Sequence, residues 1–212
     1  MTPHIAIIGA GNVGRALGER FVRAGYSVRL GVRNPEAASD VRDRFAGRAA
    51  VEAAAHAAAS ADVLFLCVPA AQAGSAARAL GDLQGKVVVD CTNPVAWSDG
   101  PVLQPPPEGS VAAALAAALP GARIVKGFNA FGAEIHADPD LDGASADVYL
   151  ASDDRVAMEA VSGIATALGF TPVDAGPLRN AALLESLAVL WIHLATKGGH
   201  SRQIAFKLVR RE

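Results

Sequence analysis

Cysteine is scarce in this chain. Cys67 and Cys91 are its two examples among 212 residues, too few for a disulfide scaffold, and neither belongs to a CxxC pair or a histidine-rich cluster that would hold a metal. That usage fits a reducing, cytoplasmic setting, and no metal site is expected. An excess of one charge is missing too. Lysine and arginine total 19 against 21 aspartates and glutamates, a formal net charge of −2. A nucleic-acid partner needs a positive surplus, so none is expected. Long apolar runs are absent as well: the longest, Ala181 to Ala195, is broken by Glu185, Ser186 and His193. The N-terminus enters an apolar strand after three residues, without a basic region or cleavage site. Neither a membrane span nor an export signal is expected.

What is present is apolar and orderly. Hydrophobic residues make up 51% and charged residues 19%, enough to bury a sizeable core in one domain with a modest appendage. Short β-branched runs alternate with alanine-rich segments of helix length. HIAIIG precedes residues 12–24, SVRLGV precedes 35–46, and a brief strand near Val51 precedes a helix around His56. DVLFLCVP, KVVVDC, RIVKGF and DVYLA follow, separated by helical pieces near 70–80, 110–119 and 154–168. Nearly continuous apolar strands imply a sheet covered on both faces, and the alternation makes it mainly parallel. The fold class is therefore α/β, a doubly wound Rossmann sheet. Residues 1–175 are expected to form the nucleotide-binding domain and 176–212 a small C-terminal helical segment.

The segment Ser98 to Gly109 carries four of the twelve prolines and reads as a surface loop, either a plain connection or a flap over the cleft. Trp97 at its start is either an aromatic plug or a platform for a planar substrate. Alanine-rich stretches at 53–61 and 112–118 reflect helix propensity.

Gly9-Ala10-Gly11-Asn12-Val13-Gly14 follows the first strand and opens a helix. Gly9 permits a tight turn, Gly11 lets the backbone approach a pyrophosphate, and Gly14 allows close helix packing. Free N–H groups and the positive end of the helix dipole favour an anion there. Nineteen residues past Gly14, the second strand ends in Val32-Arg33-Asn34-Pro35. NAD enzymes usually place an acid at this point; Arg33 instead suits a 2′-phosphate, so NADP(H) is the expected coenzyme. Asn34 and Pro35 also read as the N-cap and first residue of the next helix.

GAGNVG, GVRNPE, VVDCTNPV, RIVKGFNAFGAE, Ser152-Asp153-Asp154, GFTPVDAGPL and the closing FKLVRR together resemble the NADPH-dependent reductases of the deazaflavin coenzyme F420 and the related ferric-reductase dinucleotide domains. The resemblance runs from Ile5 to Arg211. It implies NADP contacts at Ala10, Gly11, Asn12, Val13, Val32, Arg33, Val68, Pro69 and Gln72, with Asn93 and Asn129 lining the nicotinamide end; Gly9, Gly14, Asn34 and Ala130 complete the candidate site. Val32 stands where the deazaflavin reductases carry a serine. Phe128-Asn129-Ala130-Phe131-Gly132 lies closer to the ferric-reductase-like branch.

The loops after the fourth, fifth and sixth strands should frame the nicotinamide. They offer no Ser-His-Asp set and no paired carboxylates, which fits hydride transfer between stacked rings, where the protein supplies orientation. His136 is either a proton donor or, in the favoured reading, a solvated loop histidine, while His4, His56, His193 and His200 look structural. Cys67 and Cys91 read as buried apolar side chains more readily than as a redox pair. Asp153 and Asp154 read as helix caps, and Lys207, Arg210 and Arg211 as a solvated basic end. Residues 178–195 are apolar on most helical faces, which predicts a homodimer with this helix closing a substrate cleft. Two functions follow: an NADP(H)-dependent oxidoreductase passing hydride to a small flavin-like or deazaflavin acceptor, or a non-catalytic NADP(H)-binding redox sensor regulating a partner protein.

Overall fold

The computed structural model describes residues 2–211. In chain order, the first half runs β1 (Ile5–Ile8), α1 (Asn12–Arg23), β2 (Val28–Val32), α2 (Ser39–Phe45), β3 (Ala50–Ala53), α3 (Ala54–Ala59), β4 (Val63–Leu66), α4 (Ala70–Arg78) and β5 (Val87–Asp90). A hairpin, β6 (Val95–Trp97) and β7 (Pro101–Leu103), leads to α5 (Val111–Ala118), β8 (Arg123–Lys126) and α6 (Ala133–Ala137). The chain closes with β9 (Asp140–Leu141), β10 (Ala144–Ser145), β11 (Asp147–Leu150), α7 (Arg155–Ala167), β12 (Thr171–Asp174) and α8 (Ala181–Thr196), the last entered through a 3-10 turn at Leu178–Asn180.

Six parallel strands form the central sheet in the order β3-β2-β1-β4-β5-β8. Beyond β8 the parallel pair β11-β12 attaches through an antiparallel bridge between Lys126 and Ala151. The expected doubly wound, mainly parallel α/β fold is the one observed.

Strand alternation sends side chains to two cores. Ile5 and Ile7 face a cluster with Leu17, Phe21, Phe45 and Val161, whereas Ala6 and Ile8 face Ala57, Ala73, Ala77 and Leu115. The first face is aromatic: Phe21, Phe65, Phe128 and Phe170 meet edge to face with centroids 5.0 to 5.5 Å apart. On the second face, alanine lets helices approach closely. A Cβ at Gly31 would lie 2.9 Å from the Ala54 Cα, a spacing that adds packing to helix propensity as the reason for alanine there.

Several expectations need correcting. Helix α2 begins at Ser39 rather than Pro35; Asn34 caps a turn instead, its side-chain oxygen accepting from the amides of Glu36 and Ala37 at 3.1 and 3.3 Å. The proline-rich loop is half hairpin: β7 pairs with β6 in register Trp97 to Pro101. Trp97 is neither plug nor cleft wall, being 57% exposed. Lys207 is exposed, as expected of a solvated basic end, but it is also anchored: its ammonium meets the buried Asp147 at 2.5 Å and the Ser145 carbonyl at 2.9 Å. Asp154 does cap α7, accepting from the Ala157 amide at 2.9 Å.

Helix α8 belongs to both cores, through Ala181 on one side and Trp191 on the other. With its entry turn it spans Leu178–Thr196, which by length and composition alone is long and apolar enough to cross a membrane; 33% of it is buried in the fold. Leu183 and Leu190 on its outer side are 65% and 48% exposed.

Candidate functional site

Strand order reverses between β1 and β4, and ligands of doubly wound sheets lie outside the carboxyl ends of the strands at such a switch. A cavity of about 480 Å³ opens there, walled by Gly9, Ala10, Gly11, Val32, Arg33, Val68, Pro69 and Gln72. The sequence had singled out each of these eight residues, and the fold brings them together from the ends of β1 and β2, the turn after β4 and the first turn of α4.

The three glycines differ in cause. Gly9 has φ 104°, and a Cβ there would lie 2.4 Å from the Cys67 carbonyl oxygen; both backbone and space require glycine. At Gly14 a Cβ would lie 2.0 Å from the Gly9 oxygen, so helix and turn could not close. Gly11 is different. A Cβ there meets no protein atom within 4 Å, so the protein alone does not explain the small residue, whereas a ligand in the cleft does. Gly11 is also the N-cap of α1, which has no side-chain cap and no acid in its first turn. Its first amides are free for an anion.

Arg33 leaves the end of β2 exposed on the cavity wall. Arg15, Arg29 and Arg44 nearby pair with Asp40, Glu52 and Glu19 at 2.5 to 2.8 Å. Arg33 has no carboxylate within ion-pair distance among the described residues. Of the remaining candidates at the turn, Asn12 borders a neighbouring crevice with Arg15 and Arg202, and Val13 is half-buried in the first turn of α1.

A second cavity, about 550 Å³, shares Pro69 with the first and continues past Asn93, Pro94 and Val95 to Gln104, Pro105, Pro106 and Leu115. The proline-rich segment is thus a wall of this cavity. At the edge between the two, Asn93 and Asn129 hold each other: the Asn93 amide donates to the Asn129 carbonyl and the Asn129 amide to the Asn93 side-chain oxygen, both at 2.8 Å. Asn129 also donates to the Leu184 carbonyl at 2.9 Å. Asn129 and Ala130 are buried, so both act behind the cavity wall.

Beneath this pair lies a charged cluster that sequence reasoning missed. The Lys126 ammonium, fully buried, donates to Asp90 at 2.8 Å, to Glu185 at 3.1 Å and to the Thr92 carbonyl at 2.5 Å. Glu185 also accepts from the Val111 amide at 2.9 Å. Burial pushes the Glu185 carboxyl above its ordinary range, against the pull of Lys126. The available signal was a charge ending each of two apolar strands, VVVD and RIVK, and one acid within an apolar helix.

His136 is likewise no loop residue. It is buried in α6, with Nδ1 2.8 Å from the Gly132 carbonyl and Nε2 2.9 Å from that of Phe128. Phe128 takes a left-handed backbone, φ 54°, and the imidazole braces this turn rather than reaching a cavity. Burial pushes its pKa down.

Fold and cleft together define a dinucleotide-binding Rossmann protein. Residues 4–94 match the family described as NADP oxidoreductase, coenzyme F420-dependent. The chain is 34% identical over 209 residues to the F420-dependent NADP reductase of Methanothermobacter thermautotrophicus, covering 92% of this chain and 90% of that protein. The chain belongs to the F420-dependent NADP oxidoreductase family. It is also 34% identical over 186 residues to the metalloreductase STEAP3 of Rattus norvegicus, covering 87% of this chain and 36% of that protein; the chain spans about a third of the length of such metalloreductases. A crystal structure from Arthrobacter sp. FB24, assigned as an F420-dependent NADP reductase, superposes with TM-score 0.89 at 28% identity over 98% of this chain and all of that one.

Proposed function

We propose that this protein moves hydride between NADP(H) and a flavin-like or deazaflavin acceptor. The observation that carries the coenzyme reading is Arg33, exposed without an acidic partner on the same cavity as the open Gly11 turn. In this reading the free amides after Gly11 hold the pyrophosphate, Arg33 takes the 2′-phosphate, and Val68, Pro69 and Gln72 guide the nicotinamide half along the turn after β4. The bound coenzyme supplies the hydride chemistry. Asn93, braced by Asn129, fixes the boundary of the second cavity, whose proline and alanine walls suit a flat acceptor. Orientation and exclusion of water are the protein's share.

Residues 1–175 form the coenzyme-binding part in this reading, and 176–212 clasp its open edge. Because α8 buries one side in its own domain and leaves Leu183 and Leu190 outside, the same reading places a second copy against that face. Rapid mixing with NADPH tests the activity, using deazaflavin, FMN and a ferric chelate in turn and following loss of nicotinamide absorbance. Consumption with a deazaflavin or flavin is expected. Tight binding without consumption by any acceptor would replace the enzyme by a redox-sensing module.

A further inference from the structure

Cys67 and Cys91 are the residues that directly follow β4 and β5. Those strands are parallel neighbours with Leu66 opposite Asp90, so the two cysteines are the next pair along. The ladder runs on through both: Cys67 donates its amide to Ile8 at 2.8 Å and Cys91 to Leu66 at 3.2 Å. Adjacent strands lie about 4.8 Å apart, inside the Cα separation of about 4.4–6.8 Å that a disulfide spans. Both side chains lie on the same sheet face, since Cys91 belongs to the aromatic core and Cys67 packs against it. Both thiols are free, and the Cys91 thiol makes a long contact to the Val89 carbonyl at 3.9 Å. Their access differs: Cys91 is buried, whereas Cys67 is half-buried on the wall of the first cavity.

We propose that Cys67 and Cys91 form a dithiol oxidised by hydroperoxides, closing a disulfide across adjacent strands directly beneath the glycine turn. Burial, and then the Cys67 thiol beside it, hold the Cys91 thiol well above its usual range, so the oxidant reacts first at the accessible Cys67. The Cys67 sulfur attacks the terminal peroxide oxygen and the O–O bond breaks, giving a sulfenic acid and, with the thiol proton, water from hydrogen peroxide or the alcohol from an organic hydroperoxide. The Cys91 sulfur then attacks the Cys67 sulfur. The S–S bond forms, the S–O bond breaks, and the departing hydroxide takes the Cys91 proton and leaves as water. Two thiols lose two electrons and the hydroperoxide gains them. The cross-link forms under Gly9, whose Cβ position already abuts the Cys67 carbonyl. This chemistry depends on the two thiols and is independent of which dinucleotide enters the cleft.

The test exposes the full-length protein to hydrogen peroxide, blocks remaining thiols with N-ethylmaleimide and maps peptides by mass spectrometry. Both thiols should disappear together into a Cys67–Cys91 linked peptide lacking two hydrogens, and a dithiol reductant should restore them. In Cys91→Ala, peroxide should leave Cys67 as a sulfenic acid trapped by dimedone. In Cys67→Ala, Cys91 should oxidise about tenfold or more slowly than in the native chain. Two intact thiols after the native protein has been exposed, or oxidation at Cys67 without the linked peptide, would overturn the proposal.

Discussion

Glu185, on α8, lies 3.1 Å from the Lys126 ammonium at the end of β8, and neither side chain reaches solvent. With Asp90 from β5 and the Val111 amide at the start of α5, this contact ties four elements under the cavity edge. Lys126→Met would leave buried carboxylates without a cation and should cost about 3–5 kcal/mol in denaturant unfolding. Glu185→Gln keeps shape and acceptor and should cost about 1 kcal/mol. The folded-state pKa of Glu185 is raised above its ordinary 4.5, so the protonated form is the one folding favours. Its contribution is fully present below that value and is lost as pH rises through the folded pKa. The native protein should therefore lose stability relative to Glu185→Gln across that rise; parallel curves would remove the assigned proton.

Arg33→Ala should weaken NADPH binding by about 10- to 100-fold, the worth of charge-assisted hydrogen bonds to one phosphate. NADH lacks that phosphate and should bind within about twofold of its native affinity. Titration calorimetry separates the two, and an equal loss for both dinucleotides would strip Arg33 of its role.

Two neighbouring glycines should respond differently. Gly11→Ala places its methyl in open space within the cleft, so unfolding should shift little while NADP(H) affinity falls. Gly14→Ala drives its methyl into the Gly9 carbonyl and should destabilise the fold by about 1–3 kcal/mol or more. Thermal unfolding and dinucleotide titration on both variants read the contrast.

His136 is pushed below its ordinary 6.5 by burial, so folding favours the neutral ring. Stability from this source is present above that value and drains away as pH falls toward the folded pKa. The native protein should lose stability on acidification through that window, and His136→Gln should flatten the slope while still offering an amide to the Phe128 and Gly132 carbonyls.

Leu183→Glu and Leu190→Glu put charges on the outer side of α8. If a second copy covers this side, light scattering at micromolar concentration should change from dimer to monomer, with the native chain dimeric. A monomeric native chain would dismiss the pairing.

Much of the scaffold was legible because local pattern and global fold agree. IAII, VLFL and VVVD are buried on both faces and so read as unbroken apolar runs. The glycine turn was legible from its spacing after a strand, although of its three glycines only Gly14 meets a local obstacle, Gly9 abutting the distant Cys67 carbonyl and Gly11 meeting no protein atom. The strands β7 and β12 were hidden by Pro101 and Pro172. Each pairs along one side only, so the missing N–H removes no ladder bond. Lys126, Asp90 and Glu185 stayed invisible as a unit because their meeting depends on α8 folding back across more than fifty residues of chain. His136 misled in the same way: a short helix carries it inward, and nothing in AEIHA announces that burial.

The chain beyond α8 has a mechanical consequence. Trp191 donates to the Ile204 carbonyl at 2.7 Å, Arg202 reaches Glu134 at 2.6 Å, and Asp147 receives both Lys207 and the Leu208 amide. The long helix is thereby pinned at its start by Glu185 and at its finish by this strap, so it cannot swing aside as a door. The hairpin that packs on this helix lends Val95 to the second cavity, and its tip is held to the helix only by the exposed pair Asp99 and Lys197 at 3.6 Å, a contact worth little in water.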